Sequence, residues 1–381
     1  MTIRFECQIC FADALDQFEA FRTLPRVTSD SKPWPAGGEL SVCRSCGAIQ
    51  KLPTDKWRAE AASIYQNYEM YHLSAGAEQL VFADAGAVRP RSERLVEFVL
   101  GTTSPSDTGK LIDIGCGNGE ALRNFSQALP RWQLCGAELT DKALTQLRQL
   151  PNFATLYTIP PAQIEQRFNL VTMIHSLEHM PAPLQTLAQA AQLTEPGGKL
   201  FVEVPDIETS PFDLLVADHL MHFSRASLGA MAGRAGVSIA MLSNDIVPKE
   251  ITMLGSRAAP VVSPNGPEQG IRHAQSLIAW LLDLMAQIET LAAKNRIGIF
   301  GTSVAGMAFY GAFRDRVAFF VDEDPARIGK TYRGTPVVAP KDADPDIPVV
   351  MALPPARALR AAERLRATGM NAVCPPPFVV Q

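Results

Sequence analysis

Two pairs of cysteines, a set of histidines and a run of alternating glycines are the residues whose types and spacing could do chemistry in this chain. Cys7-x-x-Cys10 and Cys43-x-x-Cys46-Gly47 form two knuckles separated by a 32-residue interval. Each knuckle can place two thiolates on one ion, and together they predict a closed tetrahedral Zn2+ site. A shell without an open position is structural, and holds together a small segment that lacks its own core. A redox dithiol is the competing reading, but neither pair precedes a thioredoxin-like helix. Cys116, Cys135 and Cys374 lie in apolar or glycine-rich settings and read as structural thiols. Among the histidines, His175 and His179 fall in Ile174-His-Ser-Leu-Glu-His-Met180, and His219 in Asp218-His-Leu-Met-His-Phe-Ser224. Histidine is the usual proton acceptor near neutral pH. The first group begins at the carboxyl end of a strand-like run, where doubly wound sheets bind ligands. For any one of these histidines a satisfied structural role and catalysis both stay open. Their convergence on one sheet edge favours a site. His222 could share a face with His219 or serve packing, and its role is open.

The segment Leu111-Ile-Asp-Ile-Gly-Cys-Gly-Asn-Gly119 is an apolar strand running into a turn with glycine at every second position. Such a turn lets a ligand approach where a Cβ would block it. Asp113-x-Gly115-x-Gly117-Asn118-Gly119 resembles motif I of class I S-adenosylmethionine (SAM) methyltransferases, and differs from the Gly-x-Gly-x-x-Gly of a dinucleotide site. Glu138 follows the apolar run Leu134 to Ala137, where a second strand should end, and a carboxylate there can accept both ribose hydroxyls. An ordinary glycine-rich strand–helix turn is the plain alternative. Asp113, Gly115, Gly117, Asn118, Gly119, Glu138 and His175 are the expected cofactor-binding set.

Elements that position these residues can be read along the chain. The 381 residues suggest two or three domains, and 47% hydrophobic content is ample for buried cores. With 35 basic and 39 acidic side chains the formal charge is −4, and no long basic run or basic–aromatic stripe appears, so nucleic acid is not an expected partner. No signal-peptide pattern opens the chain, and the apolar stretch Leu277 to Ile288 reads as too short to span a bilayer. The expectation is therefore a cytoplasmic protein without membrane contact, its oligomeric state open and a monomer possible.

Residues 1–65 form the expected zinc-binding segment. From about 90 to 205 strand and helix patterns alternate, which implies a parallel sheet. Strands are expected at Lys110–Ile114, Gln133–Leu139, Phe168–Ile174 and Lys199–Val204, with Pro196-Gly197-Gly198 turning into the last. Helices are expected at Asn118–Leu129, Asp141–Leu150 and Leu184–Leu193, and Val237–Leu242 and Glu250–Gly255 complete the sheet of a domain over 66–260. Ile271 to Asn295 has apolar residues at helical spacing and reads as a packed connecting helix. Arg296-Ile-Gly-Ile-Phe-Gly-Thr-Ser-Val-Ala-Gly306 then restarts a strand–loop–helix unit, with strands at Val317–Asp322 and Ile347–Ala352, so 261–381 reads as a second, smaller Rossmann-like domain. Its loop lacks the middle glycine of a dinucleotide fingerprint, and NAD is not expected. Asp322 could accept a ribose hydroxyl or could sit in a solvated acidic turn of a scaffold domain.

Taken together, the cysteine knuckles, the glycine loop, Leu177-Glu178-His179, the Asp218-to-Ser224 stretch and the Rossmann-like tail resemble the zinc-containing sugar C-methyltransferases that methylate C3 of TDP-linked 4-keto deoxysugars. Glu39-Leu-Ser-Val-Cys-Arg-Ser-Cys-Gly and Tyr71-His72-Leu73-Ser74 are further matches. The resemblance implies that His219 abstracts the proton alpha to the ketone and that the resulting enolate takes the methyl group of SAM. It also implies that Asp218 helps position substrate, and that His179 and Tyr71 line the reacting sugar. Neighbours in sequence do not share a helix face, so Asp218 and His219 can both point inward only from a loop. His222 stands where the family has an aromatic, and Val216 where it has a tyrosine near the sugar. O- or N-methylation of another small metabolite is the alternative on the same scaffold. A non-catalytic SAM or nucleotide-sugar binding module is the alternative from a different class.

Overall fold

A computed structural model describes residues 5–69, 80–82, 88–262 and 267–378. Tyr71, with the stretch to Ser74, lies outside them. At the N-terminus, Leu15–Gln17, Leu40–Cys43 and Ile49–Lys51 form an antiparallel ribbon that carries the cysteines. The ribbon is completed from a distant part of the sequence: Met221–His222 pairs antiparallel with Ile49–Lys51. Its helix Asp55–Gln66 starts on the Thr54 hydroxyl, which accepts from the Trp57 amide, an N-cap that satisfies an otherwise orphaned donor.

The central sheet comprises β1 (Lys110–Ile114), β2 (Gln133–Ala137), β3 (Phe153–Tyr157), β4 (Phe168–Ile174), β5 (Thr194–Pro205), β6 (Val237–Ser243) and β7 (Glu250–Arg257). Their order is 3-2-1-4-5-7-6, parallel throughout except that β7 runs antiparallel to both neighbours. The chain reverses its winding between β1 and β4, and the crevice outside the carboxyl ends of these two strands is where an open α/β sheet binds ligands. Leu111, Ile112, Val171 and Val202 are fully buried, as expected of strands covered on both faces.

Two expectations change here. Pro196-Gly197-Gly198 lies inside β5, not before it. The register with β4 jumps from Phe168↔Thr194 to Leu170↔Lys199, so the extra residues bulge out of one long strand. The helix expected over Asp141–Leu150 shrinks to Leu144–Leu147, because i→i+3 bonds at Leu144, Gln149 and Leu150 tighten both ends into turns.

The helix Pro267–Lys294 runs 28 residues, longer than the apolar stretch in the sequence suggested, and is by length and composition able to cross a membrane. Its apolar side is taken up within the protein: Ala274, Leu277, Leu281, Leu284 and Ile288 pack with Phe309, Tyr310 and Phe320 of the C-terminal unit and with Leu24, Val27 and Val42 of the ribbon. Near its start, a Cβ on Gly270 would meet the Gly47 carbonyl oxygen at 2.0 Å, so the helix lies directly on the second cysteine knuckle. The C-terminal unit is a second, mainly parallel sheet of β8 (Ile297–Phe300), β9 (Val317–Val321), β10 (Thr331–Tyr332), β11 (Thr335–Val338), β12 (Val349–Met351) and β13 (Ala372–Val373), in the order 10-11-9-8-12-13.

Candidate active site

The loop after β1 has Gly115, Gly117 and Gly119 at φ of +77°, +53° and +84°, a region that disfavours side chains. At Gly115 space is also closed, since a Cβ would lie 2.4 Å from the Ser176 Cβ. Ser176 in turn donates from Oγ to the Ile114 carbonyl at 2.7 Å. The turns after β1 and β4 are thereby locked together across the switch point. Gly115→Ala is expected to weaken S-adenosylhomocysteine binding by about 5- to 150-fold, through strain of about 1–3 kcal/mol, as titration calorimetry would read it.

Glu138 follows β2 and accepts hydrogen bonds from the Gly117 amide at 3.0 Å and the Leu139 amide at 2.7 Å. Each oxygen keeps a further lone pair, enough for a diol. Asp113, buried in β1, accepts from the Thr172 hydroxyl at 2.7 Å, and burial pushes its carboxyl up to about 7. His175 has φ +49°, rare for a residue with a side chain. Its amide bonds the Glu203 carbonyl at 2.9 Å, and its ring lies between Glu178 at 3.3 Å and Glu250 at 3.1 Å. Burial works against its charge, but these carboxylates outweigh it and raise the imidazole above its ordinary value. Arg91 completes this group at 3.3 Å from Glu250.

Asp218 and His219 sit in a turn between the short helix Pro211–Leu215 and Met221–His222. Their side chains part. Asp218 is fully buried, accepts from the amide and hydroxyl of Ser29, and lies 3.4 Å from His179 Nδ1. It stands behind the wall, and so holds His179 instead of touching a ligand. His219 turns to the cavity, and its Nδ1 is 2.7 Å from Asp213 Oδ1, while His222 Nδ1 is 2.7 Å from Asp213 Oδ2. Burial would raise Asp213, yet the two imidazoles hold it well below the ordinary carboxylate range. An ionised carboxylate only accepts, so both Nδ1 atoms carry protons and Nε2 is the His219 nitrogen left to a ligand. His222 is held down to about 4 by burial and by the Lys51 ammonium beside it, and stays neutral.

His179 stands edge-on to His219 with ring centroids 4.5 Å apart. Burial opposes its charge, but the Asp218 carboxylate raises it from 6.5 to about 9. A raised folded value stabilises the protein fully below 6.5 and loses that stabilisation as pH climbs through about 9. The gap in melting temperature between the native chain and His179→Gln is therefore expected to be largest below neutrality and to narrow on going alkaline, read by thermal denaturation across pH.

Asp113, Gly115, Asn118, His175, His179 and His219 all line one cavity of about 300 Å³. Gly117, Gly119 and Glu138 are not among its lining residues. Other walls come from the ribbon at Ser29–Ser31 and from the C-terminal unit at Thr302–Ala305. Sequence reasoning missed Asp213, whose only signal was a carboxylate six residues before His219. It also missed Ser29 and the buried Lys51, whose ammonium donates to the Val216 carbonyl. Asp322 accepts from Thr302 and the Asp324 amide, pairs with Arg327 at 3.3 Å, and is not among the residues lining the cavity.

The four ribbon cysteines fit a zinc ion. Their sulfurs all lie within 4.8 Å of one another, with Cys7–Cys46 and Cys10–Cys43 at 3.5 Å. Sulfurs about 2.3 Å from a tetrahedral ion sit at comparable separations. The Ile9 and Ser45 amides donate to Cys7 and Cys43, as thiolates require.

A family model described as a methyltransferase domain matches residues 86–240, less than half of the chain. Among curated proteins, a ubiquinone biosynthesis O-methyltransferase of Saccharophagus degradans is 35% identical over 24% of this chain and 42% of its own length. C-methyltransferase NovU of Streptomyces niveus is 24% identical over 61% of this chain and 56% of its own length. This chain thus spans about two fifths of the former and just over half of the latter. A solved S-adenosylmethionine-dependent methyltransferase from Clostridium acetobutylicum aligns with 54% of this chain and 99% of its own at 11% identity and TM-score 0.38. The strand order and the domain match make the central unit a class I methyltransferase domain, the class that uses SAM.

Proposed function

We propose that this protein is a SAM-dependent C-methyltransferase that acts on the carbon alpha to the ketone of a nucleotide-linked keto-deoxysugar. One observation carries the reading: a single cavity joins the glycine-loop edge to His219, whose Nδ1 is engaged by Asp213 so that Nε2 is the nitrogen left to a substrate. SAM, when bound, supplies an electrophilic methyl group. The loop Gly115–Gly119 and Asp113 would cradle it, with Glu138 on the ribose and His175 at the amino-acid end. Glu178 and Glu250 give the cavity negative charge suited to a cationic donor.

His219 Nε2 would take the alpha proton, made acidic by the ketone, and Asp213 would stabilise the imidazolium that forms. His179, cationic beside it, could donate to the ketone oxygen as enolate charge develops. Tyr71 and Asp218 complete the expected set, the first on the sugar and the second through His179. The cavity also offers the Thr302–Ala305 turn, at the amino end of helix Val304–Phe313, together with Lys249, features suited to a diphosphate. Zinc holds the ribbon.

O- or N-methylation of another small metabolite is the second reading, favoured by the names of the O-methyltransferase relatives. The identity to them covers about a quarter of this chain. Transfer of labelled methyl from SAM across a panel of nucleotide-linked keto sugars tests the proposal, and transfer to none of them, with transfer to a hydroxyl or amine acceptor, would replace it.

A further inference from the structure

Glu178, His179 and His219 each offer a ligand atom, and the three atoms lie within 4.8 Å of one another. In both rings Nδ1 is engaged from behind: His219 by Asp213 at 2.7 Å, and His179 by the Asp218 carbonyl at 3.2 Å. Nε2 is the nitrogen left to a ligand in each. An oxygen behind an imidazole fixes its tautomer and raises the basicity of the opposite nitrogen, as in metal-binding histidines. Glu178 is 1% exposed, and among the described residues neither of its oxygens accepts a hydrogen bond. Oε1 has only the ion pair with His175 at 3.3 Å. Oε2 is left without a partner among the described residues, and a buried carboxylate oxygen in that state is costly unless a cation meets it. All three residues border the cavity, so an ion held by them would keep open coordination positions.

We propose that Glu178, His179 and His219 form a second metal site, distinct from the cysteine shell, which binds a divalent transition ion such as Co2+, Ni2+ or Zn2+ and thereby inhibits methyl transfer. One carboxylate and two imidazoles on one side of an ion is a donor set for such metals with free positions opposite. Binding displaces any proton on the two Nε2 atoms to solvent, and uses the His219 lone pair that would accept the substrate proton. Inhibition therefore rests on His219 being the base, whereas binding does not.

The test is titration of the zinc-loaded full chain with Co2+, followed by visible absorption. A saturable d–d band without thiolate-to-cobalt charge transfer is expected, weakened by about 10-fold or more in Glu178→Gln. Turnover should fall in step with that band and return on chelation. Should Glu178→Gln not fold, His179→Asn serves the same comparison. Absence of the band, thiolate charge transfer in its place, or an unchanged band in a folded variant would each overturn the site. A bound ion with full turnover would overturn inhibition and remove His219 as the base, leaving the metal site standing.

Discussion

His219→Ala is expected to lower turnover by about 10²–10⁴-fold, the usual contribution of a positioned proton acceptor, with S-adenosylhomocysteine affinity nearly unchanged. The separation is possible because the ring makes its one recorded hydrogen bond to Asp213, while the glycine loop stands on β1 and Ser176. Asp213→Asn should reproduce much of the loss without removing any atom from the cavity wall. An amide has one acceptor oxygen and a donor nitrogen, so it cannot receive both imidazole N–H groups. One ring must turn or change tautomer, and a comparable exchange behind a catalytic histidine costs about 10⁴ in the serine-protease triad. Single-turnover rates paired with calorimetry of the demethylated cofactor would read both variants. Undiminished rates in both would move the proton acceptor elsewhere.

Loss of the zinc ion proposed for the four cysteines is expected to abolish turnover as well, although the ion would do no chemistry. The turn that carries His219 is built against the ribbon at many points. Met221–His222 forms the ribbon's fourth strand, the Lys51 amide donates to the Leu220 carbonyl, and the Trp57 indole donates to the Ala217 carbonyl at 3.0 Å. The Ala217 amide reaches the Val27 carbonyl, and Ser29 holds Asp218. A structural zinc ion in a small finger contributes about 10–16 kcal/mol to folding, far more than these contacts could replace. Cys43→Ser or Cys46→Ser should therefore abolish turnover and lower the melting temperature, whereas the central sheet, whose other face packs a separate cluster around Leu111, Phe125 and Leu134, keeps its secondary structure. Zinc content, circular dichroism and turnover measured on one preparation check this. A zinc-free protein with full activity would detach the ribbon from the site.

The parts of the site that were legible in the sequence are those fixed by local geometry. Gly115 to Gly119 and the cysteine knuckles each place their chemistry within a few residues, so spacing alone locates them. The strands β1, β2, β4 and β7 were readable for a related reason, since burial on both faces leaves continuous apolar runs. Asp213 was not readable, because a carboxylate in a short helical turn has many ordinary uses and only folding brings it under two imidazoles. The surroundings of Asp218 were not readable either, because adjacent side chains in a turn diverge and Ser29, distant in sequence, waits on the other side. The same holds for Asp322, whose partners Thr302 and Arg327 come from either side in the chain. The bulge at Pro196–Gly198 was read as a turn because its glycines mark backbone deviation without saying whether pairing resumes.

The central claim is that His219 removes a proton from carbon next to a ketone. Proton NMR of a TDP-linked 4-keto deoxysugar in deuterium oxide, with this protein and the demethylated cofactor but no methyl donor, tests it most directly. The native chain should exchange the C3 proton for deuterium and His219→Ala should not. Retention of that proton in the presence of native protein that methylates the same sugar would contradict the account.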